Sequence, residues 1–217
     1  MTVPGTFDTS ARELIHAGLQ NLDEARSLFR QLSASGFDAA RCGLLLDALQ
    51  HVCDPDVALR NLVDIVNAQV SQGRALDDIM PDDTAFRQLV AVLGVSDAMG
   101  KLMRFRPDLV QAAATDHCNS HLYNHDQRRA HVLESVGADP NDRMSPTATM
   151  DLADAATALR RTYRNQLAAI IAQDTMSDDP IALQPRISSE LSDLADAALE
   201  GALAIARHEI TGSEHCR

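Results

Sequence analysis

Between Ser145 and Ile210 the chain carries two long stretches of helical periodicity joined by a short Asp-Asp-Pro break. No other feature limits the fold as strongly, because a 3.6-residue rhythm sustained this long cannot be satisfied by strands. The first stretch reads SPTATMDLADAATALRRTYRNQLAAIIAQD, with its larger apolar residues at Leu152, Leu159, Tyr163, Leu167, Ile170 and Ile171. That spacing predicts one buried helix face. Ser145 suits an N-cap and Pro146 a first helical position, where a missing N–H costs nothing. The second stretch, ISSELSDLADAALEGALAIARHEI, repeats Ile187, Leu191, Leu194, Ala198, Ala202 and Ile205 at the same spacing. A short connection predicts antiparallel packing, with Leu159, Tyr163 and Ile170 against the Leu191, Leu194, Ala198 and Ala202 side.

The earlier part of the chain also reads as helices. Asn21, Asp38, Asp54, Ser96 and the Pro at 107 stand at helix starts, and Gly36 and Gly94 at helix ends. Aromatics make up only 3% of the residues and Trp is absent, so the core is built of Leu, Ala, Val and Ile. The expectation is an all-α chain: an irregular helical bundle over 1–113, a polar irregular connector over 114–144, and a long antiparallel helical pair over 145–217. The connector reading rests on the polar run TDHCNSHLYNHDQRRAHVLESVGADPNDR and the GADPND turn cluster at 137–142.

Net charge is −12, which argues against a nucleic-acid binder or an anionic-membrane binder, since phosphate contacts need a cationic surface. No apolar run approaches a membrane span, and the first residues, MTVPGTFDTS, lack the basic and apolar regions of a signal peptide. Four cysteines, Cys42, Cys53, Cys118 and Cys216, show no CxxC or framework spacing and read as free thiols. Together these features predict a cytoplasmic location.

Few residues suggest chemistry. Asp54-Pro55-Asp56 has the Asp-x-Asp form of a metal motif, but Asp54 and Pro55 read better as the start of the helix DPDVALRNLVDIVNAQV. His117, His121 and His125 are spaced i, i+4, i+8, which on a helix would align three imidazoles; without apolar backing, a polar loop is the reading preferred to a metal site. The run Asp77, Asp78, Asp82 and Asp83 reads as a solvated loop and a cap. Arg160, Arg161 and Arg164 lie off the apolar stripe. An arginine fork could bond phosphate or carboxylate oxygens bidentately, or these residues could form an exposed face paired with Asp151, Asp154 or water. No P-loop, GxGxxG, HExxH or GxSxG occurs, so no catalytic, cofactor-binding or metal residue is assigned.

The matched residues Leu159, Arg160, Tyr163, Arg164, Leu167, Ile171, Ala172 and Asp174, followed by Leu191 to Ala197, resemble the actinobacterial bifunctional glutamine synthetase adenylyltransferase/adenylyl-removing enzymes. In that family an "LR…YR…L…IA…D" helix precedes an "LSDLADA" helix. Two earlier stretches, LLLDALQHVCDPDVALRNLVDIV and FRQLVAVLGVSDAMGKLMRFRPDLV, are similar too, in the same order. The resemblance implies glutamine synthetase and a PII-type signal protein as partners. It implies magnesium and ATP as cofactors of the full-length enzyme, and a nucleotidyltransferase domain following in cis. It also implies that the catalytic Gly-Gly…Asp-x-Asp set lies beyond Arg217, leaving this segment as scaffold or docking surface, inactive alone. A self-standing helical interaction module and a helical ligand-binding regulatory domain are the alternative readings.

Overall fold

The computed structural model describes residues 9–79, 82–114, 123–177 and 179–214. Its described residues form helices joined by turns and irregular segments and contain no strand, the all-α class that periodicity predicts. None of the described helices is long and apolar enough to cross a membrane. The chain divides into two compact units, Met1–Asp116 with Ile171–Met176, and His117–Ile170 with Ser177–Arg217.

In the first unit the helix starts follow the sequence closely. Ser10 forms a reciprocal capping box with Glu13 at the head of α1, Ala11–His16. Asn21, Asp38 and Asp54 each accept a backbone N–H at the start of α2 (Leu22–Ala34), α3 (Ala39–Leu49) and α4 (Pro55–Ser71). Such caps satisfy amides that the helix cannot. A short α5, Leu76–Ile79, lies within the stretch expected to be a polar loop. Then come α6 (Asp83–Val95), α7 (Asp97–Met103) and α8 (Pro107–Ala114). The core is aliphatic: Leu59, Leu62, Ile65 and Val66 of α4 are buried with Leu89 and Leu93 of α6 and with Phe29, Leu45 and Met103. The Cys42 thiol is also buried, which pushes its pKa up and keeps it protonated.

Gly94 does not end its helix, contrary to expectation: α6 runs through it to Val95, and Ser96 closes α6 while capping α7. The glycine serves a close approach. A Cβ there would lie 2.9 Å from the Val52 Cβ. Gly100, within α7, is tighter still. A Cβ there would sit 2.4 Å from Asn61 Cγ and 2.8 Å from Asn61 Cβ, which cannot swing aside as a side-chain tip can. Asn61 is buried and donates from Nδ2 to the Leu93 carbonyl at 3.3 Å. Gly100→Ala is therefore expected to lower stability by about 2–4 kcal/mol, through overpacking and the strained hydrogen bond, despite the better helix propensity of alanine. Gly43→Ala in α3 meets nothing within 4 Å and should gain up to about 1 kcal/mol. Urea denaturation of the two variants should give shifts of opposite sign; two shifts of the same sign would contradict this packing.

In the second unit α9 spans His125–Ser135, α10 Leu152–Thr175 and α11 Pro180–Glu214. The stretch expected to be a polar irregular connector thus contains a regular helix, capped by an Asn124/Gln127 box. It escapes a periodicity reading because its buried face is Arg128, Arg129, Val132 and Leu133, half of it charged. Ser145 and Pro146 do not open α10. The Asp142 carboxylate accepts from the Met144 and Ser145 amides at 2.9 and 3.0 Å, which hold its pKa below the ordinary range. Ala148 N–H then donates to the Ala204 carbonyl at 3.0 Å, and Arg207 donates to the Pro146 carbonyl at 2.9 Å. These bonds keep the segment extended along α11 until Asp151, whose carbonyl accepts the first helical bond.

α10 and α11 run antiparallel, as their register shows. Ile170 packs with Ile187 and Leu194, while Leu159 of the preceding turns lies against Gly201, further along α11. A Cβ on Gly201 would come within 2.8 Å of Val132 in α9 and 3.0 Å of Leu159, so three helices meet at a residue without a side chain. The buried stripe of α11 is Ile187, Glu190, Leu194, Ala197, Gly201, Ala204 and Ile205. Ile187, Leu194 and Ile205 of the expected stripe lie on it, whereas Leu191 is 42% exposed and Ala202 is exposed. On α10, Leu152 and Tyr163 are exposed, whereas Thr162 and Gln166 are buried. In both helices a polar residue occupies a core position that an apolar-only count skips.

Candidate functional site

The three arginines singled out in sequence lie on consecutive turns of α10. Arg160 and Arg161 are exposed and Arg164 is half-buried. Arg160 and Arg164 are four residues apart, so their guanidinium groups leave the same side of the helix. Among the described residues neither makes a hydrogen bond or an ion pair, so of the partners open to an exposed face, these two have neither Asp151 nor Asp154. Two like charges at this spacing cost a few tenths of a kcal/mol unless an anion answers them.

The Asp54/Asp56 pair is occupied by backbone. Asp54 Oδ1 accepts the Val57 N–H at 3.0 Å, and Asp56 accepts the Gln20 and Asn21 N–H groups at 3.0 and 3.3 Å. One carboxylate caps α4 and the other fastens the turn between α1 and α2. Of the histidine row, His117 and His121 lie outside the described residues, as does Cys118. His125 heads α9 and its Nδ1 lies 3.1 Å from Asp193 Oδ1. Among the described residues no group of three or more His, Cys, Asp or Glu could hold a metal ion.

The most developed polar arrangement was not anticipated. The Arg128 side chain is 1% exposed and bonds Glu190 Oε2 and Gln166 Oε1, each at 2.7 Å. Arg186 approaches the other Glu190 oxygen at 3.4 Å. Beside it, Arg129 forms a two-pronged bond to Glu200 at 2.7 and 2.6 Å and also donates to the carbonyls of Pro140 and Asp142. The planar fork of arginine suits these simultaneous contacts, which join α9 and α11 and pin the loop behind them. The available sequence signal was a pair of arginines in an otherwise polar helix, with an acidic residue in register on α11. Such a pairing needs the tertiary arrangement before it can be recognised.

Burial pushes the Glu190 carboxyl up and the Arg128 guanidinium down, each opposed by the other's charge, with Asp193 adding to the rise at Glu190. The sign for stability follows. A carboxyl raised in the folded state binds its proton at a pH where the unfolded chain has lost it, so its contribution declines as pH rises from the ordinary glutamate range to the raised value. Compared with the parent, Glu190→Gln should lack this decline. Unfolding free energies at pH 4 to 7 check it, and parallel pH curves would contradict the raised carboxyl.

The chain is 65% identical over 211 residues, 97% of its length, to a protein of Bifidobacterium longum strain NCC 2705 named bifunctional glutamine synthetase adenylyltransferase/adenylyl-removing enzyme. Proteins of that name in Leifsonia xyli and Cutibacterium acnes match 92% and 90% of the chain at 31% and 28% identity. The chain spans about a fifth of the length of these relatives: 20% for the Bifidobacterium protein and 19% for the other two. No family model matches the chain, and no solved structure does. The order of helices that suggested the resemblance is thus matched by identity along nearly the whole chain, which belongs, over the fifth of their length that it spans, to the family of the bifunctional glutamine synthetase adenylyltransferase/adenylyl-removing enzymes.

Proposed function

We propose that the chain is the helical, non-catalytic portion of an enzyme that adds AMP to glutamine synthetase and removes it, regulating nitrogen assimilation. The observation that carries this reading is 65% identity along 97% of the chain to a protein named for both activities. In this reading a nucleotidyltransferase domain of the same polypeptide holds magnesium and ATP, and this segment braces that domain and helps to receive glutamine synthetase. A PII-type signal protein acts on the whole enzyme in the cytoplasm. The chemistry of the described residues supports a bracing role: the one Asp-x-Asp pair is engaged by backbone amides, and the buried ion pairs tie helices together.

Arg160, Arg161 and Arg164 are the residues proposed to meet the nucleotidyltransferase domain, through a phosphate or a carboxylate. Two of them, Arg160 and Arg164, present like charges on one side of α10 with no bond among the described residues, so an incoming anion would relieve their repulsion. In a full-length enzyme carrying this segment, changing all three to Ala should lower de-adenylylation of AMP-modified glutamine synthetase by about tenfold or more, the equivalent of one charge-assisted bond. The melting midpoint should move little, because Arg160 and Arg161 are exposed and Arg164 is only half-buried, and such charges contribute little to stability. Undiminished activity would remove the arginines from the proposal. A full-length parent without activity on glutamine synthetase would remove the proposal itself.

A further inference from the structure

α11 has a second apolar face that its packing within the unit does not use. Leu191, Ala195, Leu199, Leu203 and Ala206 are all exposed, Leu199 at 70% and Leu203 at 50%. At the 100° per residue of an α-helix these positions fall within about a third of the circumference. The buried stripe running from Ile187 through Leu194 to Ala204 lies on a different side. Over about 22 Å of helix this arc carries one hydroxyl, Ser192, and no charge, with the exposed Asp196 standing at its border beside Leu203. Asp193 and Glu200 project elsewhere, and Glu200 is held by Arg129. A solvated helix face ordinarily carries charge throughout, and one dominated by exposed leucine and alanine marks a contact surface.

We propose that this face docks against an apolar surface of the same polypeptide outside the 217 residues. The inference rests on the reading of the chain as one segment of a longer enzyme. Two observations favour this occupant. The relatives are about five times as long as the chain, so a protein of that length has most of its polypeptide to pack. The chain's net charge of −12 opposes association of two copies, since like-charged bodies repel as they approach. Ala195 and Ala206 leave room for a close backbone approach, and Leu199 and Leu203 supply the apolar area.

The test compares Leu199→Glu/Leu203→Glu in two settings, the 217-residue chain and a full-length polypeptide carrying this segment. In the 217-residue chain the two glutamates stay in water, and the melting midpoint should move by less than about 1 °C. In the full-length polypeptide they would be buried unpaired, and the midpoint should fall by at least about 4 °C. If that variant does not accumulate, Leu199→Ser reads the same contrast. Equally small shifts in both settings overturn the proposal. Sedimentation of the parent 217-residue chain should give a monomer of 23.5 kDa. A dimer dispersed by Leu199→Glu would assign the face to a second copy and overturn it as well. These readouts are melting and mass, so an absence of activity on glutamine synthetase, which defeats the functional reading, leaves the docking result separately readable.

Discussion

Replacing Glu190 by alanine is expected to remove about 3–5 kcal/mol from the stability of the chain, the loss typical when one partner of a buried ion pair is deleted. The size follows from what stays behind. Arg128 is 1% exposed at its side chain and keeps only Gln166 as a bonded partner once Glu190 is gone. Its Nε already lacks a partner among the described residues, as does Gln166 Nε2. An arginine does not shed its charge in a protein, so the guanidinium stays charged where it is buried. The charge itself, more than the lost bond, is the source of the instability. The paired replacement Arg128→Met/Glu190→Leu should recover most of the loss, since an apolar pair of similar volume has no desolvation cost to offset. Urea denaturation of the parent, the single variant and the double variant checks both parts. A single variant within 1 kcal/mol of the parent would mean that water reaches Arg128. A double variant no better than the single would mean that packing, not charge, sets the cost.

This network also marks where sequence reasoning ended. Where a side chain acts on its own backbone, the sequence was sufficient: Asn21, Asp38, Asp54 and Ser96 cap the helices that they precede, because the contact spans three residues and needs no tertiary partner. Where the cause is distant, it was not. α9 reads as an irregular connector in sequence because Arg128 and Arg129, its inward residues, look solvent-bound until Glu190 and Glu200 are placed beside them. The stripe on α11 departs in part from the expected one for the same reason, since Glu190 occupies a core position and Leu191 does not. Ser145 and Pro146 have the composition of a helix start, but the Ser145 amide donates to the Asp142 carboxylate and the Pro146 carbonyl accepts from Arg207, which hold them extended. Gly94 looked like a stop, yet Val52, forty-two positions earlier, explains it. The candidate arginines were found because exposed charge is visible in sequence; their surroundings were not.

The 217-residue chain by itself is expected to give no turnover in either direction: no AMP added to glutamine synthetase from ATP, and none removed from the modified enzyme with phosphate. Both reactions transfer a group at phosphorus, and most of the rate in such transfers comes from metal ions held against the phosphoryl oxygens by carboxylates. The carboxylates nearest to that pattern here are Asp54 and Asp56, and three backbone N–H groups already occupy them. Recruiting them to a metal would uncap α4 and free the turn before α2, costing about 1 kcal/mol for each cap lost. Neither carboxylate follows a glycine-rich turn that could bring amides to a phosphate; the nearest glycine before them, Gly43, lies inside α3. The experiment incubates the purified chain with magnesium and each substrate pair, and follows AMP by mass of the synthetase subunit. Asp54→Asn/Asp56→Asn provides the control, because asparagine at 54 still caps α4 and at 56 keeps one of the two amide bonds, while both lose the charge that a metal requires. Turnover by the parent chain that the double variant abolishes would place catalysis at this pair and overturn the reading of residues 1–217 as a brace.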